Sequence, residues 1–275
     1  MTHSPPLVLL RGGGDLATGV AARLWRSGFW VVVAEIAHPL AVRRLVSLAE
    51  AVYAGEVAIE DLRGKLTDDP QNAREILQQG SIPVFVDRSV ESRHALEPSA
   101  IVDARMTKFV PSLALNSAPM MIGLGPGFEA GTDVHAVVET NRGHYMGRVY
   151  WEGSAQPDTG VPDRVDGRDV DRVLRAPVSG LFKPVAEIGT LVNLGEMLAE
   201  IDGTALVAPF DGALRGLLHA GIKIEAGVKV GDLDPRQDLS LCTLISDKSL
   251  AVGGGVLEAL LSRRKIRAQL AGSMS

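Results

Sequence analysis

Cysteine is all but missing: Cys242 is the only one in 275 residues. That excludes an intramolecular disulfide and any Cys-rich zinc or iron–sulfur site, and it fits a reducing compartment. No long basic block occurs and the net charge is −5, which argues against a surface that tracks nucleic-acid phosphates. The opening MTHSPPLVLLRGGG has no basic flank and only a four-residue apolar run, too short for a signal peptide or a membrane span. A cytoplasmic protein without membrane or nucleic-acid partners is therefore expected. Aromatic residues are scarce at 4%, whereas 30 glycines and 15 prolines are present. Such a chain has many tight turns, and its glycines mark where backbone approaches ligand or backbone. An apolar content of 46% supports a buried core.

The run Leu7 to Leu10 suits a strand buried on both faces of a parallel sheet. Leu16, Val20 and Leu24 then recur at helical spacing up to Gly28, and FWVVVAE (29–35) reads as a second strand, which makes a βαβ unit. A helix is predicted within AHPLAVRRLVSLAEAVY (37–53) and another over 68–80, with strands at IPVFVD, IVDARM and APMMIGL. The expected organisation is a Rossmann-like α/β domain over 1–153, with a β-rich arm at about 124–153 carrying NRGH between two strands. A Pro- and Gly-rich linker (154–170) follows, then a repeat domain (171–236) and a C-terminal strand and helix (237–275) returning to the first domain.

The repeat is the most informative feature of the second half. RAPVSGLFKPVAEIGTLVNLGEMLAEID (175–202) aligns without a gap on VAPFDGALRGLLHAGIKIEAGVKVGDLD (207–234), at an offset of 32 residues. Gly180, Gly189, Gly195 and Asp202 fall on Gly212, Gly221, Gly227 and Asp234. Two such copies predict two facing sheets, each burying the other's apolar side. The pattern resembles the biotinyl/lipoyl carrier domains, which implies an all-β barrel-sandwich hybrid fold. Carriers present a lysine at the tip between the copies, whereas this chain has Gly203-Thr204-Ala205-Leu206 there. No covalent biotin or lipoate is expected.

Three glycine runs invite chemistry. In RGGGDLATG, Gly12, Gly14 and Ala17 meet a G-x-G-x-x-G/A form between a strand and a helix, where free amides and the helix dipole favour an anion. Arg11, Gly12, Gly13, Gly14, Asp15, Ala17 and Thr18 are the candidate cradle, with Glu35 placed to accept from a ribose hydroxyl. A plain turn with Asp15 as helix cap is the alternative. GLGPGFEAG (123–131) offers Gly123, Gly125 and Gly127 as a second cradle or a rigid turn. Beyond it, Asp133, His135, Glu139, Arg142 and His144 could gather at one site to bind a metal or move a proton, with Asp103 upstream a further proton-transfer candidate, or are solvated strand residues. VGGGVLEALL (252–261) reads as a third glycine run entering a helix, or as a plain turn, and Cys242 in LSLCTLI as a buried strand residue without chemistry.

RGGGDLATGVAARLWRSGF, AEIAHPLAVRR, AEAVYAGEV, IGLGPGFEAGTDVHAVVETNRGHYMGRV, GSAQPDTGVP and ISDKSLAVGGGVLEALL together resemble the YqeB family of selenium-dependent molybdenum hydroxylase system proteins. The resemblance covers nearly the whole chain. It implies an accessory or maturation factor for molybdenum hydroxylases, related at its N-terminus to proteins of the XdhC type and partnered by a hydroxylase or its maturation proteins. Many relatives are implied to carry Ala where this chain has Gly13, a change expected to leave the turn intact. The combined expectation is an accessory factor, free of covalent biotin or lipoate, that binds NAD, another nucleotide or a molybdopterin-type, phosphate-bearing ligand through its glycine loops and forms a homo-oligomer. The alternatives are an NAD(P)-dependent oxidoreductase using Asp103 or His135 as proton donor, and a non-catalytic scaffold with a lipoyl-like domain.

Overall fold

A computed structural model describes residues 4–106, 113–157 and 170–273. It divides into two compact units, Met1–Pro39 with Leu48–Asp158 and Ile245–Ser275, and Leu40–Ser47 with Thr159–Leu244.

The first unit is built on one sheet. Its elements are β1 (Leu7–Arg11), α1 (Asp15–Arg26), β2 (Trp30–Glu35), α2 (Ala51–Ala54), β3 (Glu56–Ile59), β4 (Leu62–Leu66), α3 (Pro70–Gln78), β5 (Ile82–Val86), α4 (Arg93–Leu96), β6 (Ala100–Asp103), β7 (Met121–Leu124), β8 (Glu129–Ala130), β9 (Ala136–Val138), β10 (Val149–Tyr150), β11 (Gly153–Ser154), α5 (Asp247–Leu261) and α6 (Arg264–Ser273). Nine strands pair in the order β10-β9-β7-β6-β1-β2-β5-β4-β3, and β8 pairs with β11 in a separate ribbon. From β9 to β4 every neighbouring pair is parallel. Both edges are antiparallel, β10 on β9 and β3 on β4.

Burial explains the central strands. Every residue of β1 and β6 is buried, so these strands carry continuous apolar runs without alternation. One layer of the core joins Leu7, Leu9, Val32, Phe85, Ile101, Met121 and Phe128. α3 starts as its sequence dictates: Asp69 caps it by accepting from the Gln71 amide at 2.8 Å, and Pro70 opens its first turn.

The second unit contains β12 (Val173–Arg175), β13 (Gly180–Pro184), β14 (Leu191–Val192), β15 (Met197–Ile201), β16 (Thr204–Val207), β17 (Gly212–Leu217), β18 (Lys223–Ile224) and β19 (Lys229–Asp234). They form two four-stranded antiparallel sheets, β12-β19-β17-β14 and β16-β15-β13-β18.

This topology corrects the expected combination of a Rossmann-like domain and a barrel-sandwich hybrid. The first unit is a mixed sheet with antiparallel strands at both edges, and only the β1–β2 and β4–β5 crossovers carry a helix of nine residues or more. In the second unit the repeat copies do not form one sheet each. They interleave: β13 of the first copy pairs with β18 of the second, and β14 with β17.

Three local expectations also change. The helix predicted over 37–53 is reduced to two 3-10 turns, Arg44–Val46 and Leu48–Glu50, and the short α2. Its front part serves the second unit instead, where the Val42 carbonyl accepts from the Leu217 amide at 2.9 Å and the Arg44 Nε donates to the Leu217 carbonyl at 2.8 Å. Cys242 ends a 3-10 turn, Leu239–Cys242, not a strand, and is buried. The third glycine run is not a turn: Gly253, Gly254 and Gly255 lie inside α5, which Ser246 caps by accepting from the Ser249 amide at 3.1 Å. Most of the expected linker, residues 158–169, lies outside the described residues. Among the described residues no helix is long and apolar enough to cross a membrane.

Candidate functional site

The chain winds from β1 to β2 and on to β5 on one side, then returns to β6 on the other side of β1. Strand order therefore reverses between β1 and β6. In open parallel sheets the loops leaving such a point part company at the carboxyl ends of the strands, which leaves a crevice where ligands bind. Two of the predicted residues meet there. Arg11 ends β1 and Asp103 ends β6, side by side in the parallel register.

Asp103 is 2% exposed and anchors two guanidinium groups. Arg105 donates to it through Nε at 2.9 Å and Nη2 at 2.7 Å, a bidentate fork, and Arg11 Nη1 donates at 3.3 Å. Arg11 Nη2 donates to the Arg88 carbonyl at 3.3 Å, while its buried Nε has no hydrogen-bond partner among the described residues. Burial pushes the Arg11 pKa down and Asp103 pulls it up, for a net lowering. Asp103 was expected as a proton donor. Its oxygens instead accept from guanidinium N–H groups, so it positions the two arginines.

A cavity of about 650 Å³ opens over this pair, with Arg88, His38 and Glu35 on its walls and Ile36 and Val86 as apolar lining. Val86 is 50% exposed, unusual for a valine ending a central strand. Asp87 also lines it but is committed to its own turn, accepting from the Glu91 amide at 3.0 Å and the Ser92 amide at 2.7 Å. Burial would raise the Asp87 pKa, yet these bonds hold it below the usual carboxylate range. Arg88, Arg105 and His38 were missed in the sequence. The signal available was their position, two or three residues beyond the ends of β5, β6 and β2.

In the glycine loop, one amide that the expected cradle would offer is already engaged. Glu35 Oε2 accepts from the Gly13 amide at 2.7 Å and Oε1 from the Ile36 amide at 2.8 Å. The carboxylate expected to face a ribose therefore fills the loop that was to receive a phosphate. Gly12, at φ +99°, donates to the Ala34 carbonyl at 2.8 Å. Gly14 is the N-cap of α1, not Asp15, whose Oδ1 accepts from the Leu16 amide at 3.0 Å. Ala17 and Thr18 are buried, and the Thr18 hydroxyl is spent on the Gly14 carbonyl and the Leu48 amide, both at 3.0 Å.

The second glycine loop is packed with protein. A Cβ on Gly123 would lie 2.4 Å from the Phe128 ring, and one on Gly125 would lie 2.5 Å from the Thr140 hydroxyl. Gly127 takes φ +101° in the same turn. Glu139 is fully buried and accepts from the Thr140, Asn141 and Gln156 amides, each at 2.8 Å. It thus clamps two stretches of backbone, 140–141 and 156. His135 Nδ1 accepts from the Met121 amide at 3.0 Å, and burial, assisted by Arg263, pushes its pKa down. His144 is exposed in the loop between β9 and β10. No group of three or more His, Cys, Asp or Glu among the described residues could hold a metal ion.

No family model matches the chain. Among solved structures, it is similar to an aspartoacylase family protein from Mesorhizobium loti (10% identity, 84% of each chain, TM-score 0.25). It is also similar to a succinylglutamate desuccinylase/aspartoacylase from Rhodobacter sphaeroides (14% identity, 85% of this chain and 86% of that one, TM-score 0.24). Superposition at that level transfers neither fold nor activity. In this chain Glu35 already holds the Gly13 amide of the glycine loop. The expected accessory role, with a phosphate-bearing ligand in that loop, and the oxidoreductase alternative find no support there. In sequence the chain is 43% identical over 255 residues to the uncharacterised protein YqeB of Escherichia coli (strain K12), covering 93% of this chain and 47% of YqeB. It thus spans about half the length of that relative, to which it is homologous over nearly all of its own.

Proposed function

We propose that the chain binds a small molecule bearing a carboxylate or phosphate in the cleft over Arg11 and Arg105. The observation that carries this reading is the shared anchoring of both arginines on the buried Asp103, where strand order reverses. Guanidinium groups held rigid by a carboxylate lose little freedom on meeting an anion, so their remaining N–H donors favour binding. The cavity volume lies within the range of small-molecule sites, and Ile36 and Val86 give an apolar part of the ligand a surface to cover. The donors come from side chains and not from the glycine loop, because Glu35 already holds the Gly13 amide.

Titration calorimetry with inorganic phosphate, small dicarboxylates, AMP and NAD tests the reading. At least one anion is expected to bind, and Arg105→Ala is expected to weaken it by roughly tenfold or more, the scale of one charge-assisted hydrogen-bond pair. Arg105 is 30% exposed, so its removal leaves the core intact. Equal affinity in wild type and Arg105→Ala, or no binding by any probe, contradicts the proposal.

A further inference from the structure

A second cationic surface lies on the first unit, at the junction of α5 and α6. Arg263, Arg264, Lys265 and Arg267 are all exposed there. None of them forms an ion pair with an acidic group among the described residues. Many other arginines of the chain are committed, such as Arg26 to Glu60 and Asp61, Arg142 to Asp247, and Arg215 to Asp232 and Asp234. The placement also works against local stability. Arg264, Lys265 and Arg267 occupy the first turn of α6, where the helix dipole disfavours cations, and that turn has no acidic residue to compensate.

Aromatic rings border the patch. The Arg263 guanidinium lies 5.5 Å over the Trp151 ring, and its Nε donates to the Met120 sulfur at 3.2 Å. In the neighbouring loop Arg148 lies 5.7 Å over the Tyr145 ring. Trp151 and Tyr145 are 40% and 52% exposed. A guanidinium stacked on a ring keeps its N–H edge directed outward and pre-organised for a carboxylate fork. The same stacking occupies one face of each ring, which leaves less platform for nucleic-acid bases. A net charge of −5 further opposes a long polyanion beyond the patch.

We propose that Arg263, Arg264, Lys265 and Arg267, flanked by Trp151, form a docking surface for an acidic segment of a protein partner. Charge complementarity selects the partner: clustered Asp or Glu side chains relieve the repulsion among four exposed cations and neutralise the start of α6.

Fluorescence anisotropy of the full chain with a short labelled glutamate-rich peptide tests this. The peptide is expected to bind, and raising salt from about 50 to about 200 mM to weaken it severalfold, as for screened surface charges. The variant R264Q/K265Q/R267Q should weaken it by about tenfold or more, whereas Arg74→Gln, on the exposed side of α3, should leave it unchanged. Trp151→Leu, which removes the ring but no charge, should cost a smaller factor. No peptide binding, equal losses in the triple variant and Arg74→Gln, or tighter binding to a single-stranded oligonucleotide or an anionic phospholipid vesicle than to the peptide would overturn the proposal.

Discussion

At the scale of single residues, the structure turns several glycines and carboxylates from chemistry to architecture. A Cβ on Gly13 would sit 2.9 Å from the Ala49 nitrogen and 3.0 Å from Val33. The alanine implied at this position is therefore not neutral. Gly13→Ala should cost about 1–3 kcal/mol, the usual range for overpacking against backbone, measured by urea denaturation. Among the acid-sensitive groups is Asp234 of the second unit. Burial pushes the Asp234 pKa upward, but the Arg236 fork, the Arg236 amide and Arg215 outweigh it and bring the value down to about 2. A depressed carboxylate contributes stability above its unfolded value, near 4, and loses it as pH falls toward 2. Asp234→Asn should remove about 2 kcal/mol of that dependence, so its stability curve between pH 5 and 2 should be flatter than the wild type's.

At the scale of elements, the glycines of α1 and α5 form a close-packed seam. A Cβ on Gly19 would lie 2.4 Å from Ser249, one on Gly253 would lie 2.6 Å from the Gly19 carbonyl, and one on Gly255 would lie 2.2 Å from the Gly147 carbonyl. Nothing lies within 4 Å of such an atom on Gly254. The adjacent positions should therefore respond in opposite directions. Gly254→Ala should stabilise by about 0.5–1 kcal/mol through helix propensity, whereas Gly253→Ala should destabilise by about 1–3 kcal/mol as the helices are forced apart. Thermal melts of the two variants check this. Sequence reasoning placed α3 because Asp69 and Pro70 are local start signals. It misplaced the GGG run because helix propensity argues for a break there, and only the partner helix shows why glycine is tolerated. The helix predicted over 37–53 failed for a similar reason: Val42 and Arg44 are recruited by Leu217, far away in sequence.

At the scale of the whole molecule, the repeat was legible in the matched glycines of 175–202 and 207–234. The distribution of its strands was not, because the β13–β18 and β14–β17 pairings are long-range choices that no local pattern encodes. The candidate site was half legible. Arg11 and Glu35 were identified as strand-end residues, but their roles were not, since the bond from the Gly13 amide to Glu35 depends on how closely β1 and β2 bring their ends together. Asp103 was identified as an acid, while the Arg105 fork that makes it an anchor required the turn after β6. The central claim is that the arginines over Asp103, and not the glycine loop, receive an anion. A crystal soaked with selenate and measured at the selenium edge tests it most directly. The account predicts an anomalous peak within hydrogen-bonding distance of the Arg105 guanidinium, and a peak at the amides of Gly12 to Gly14, or no peak in the cleft, would contradict it.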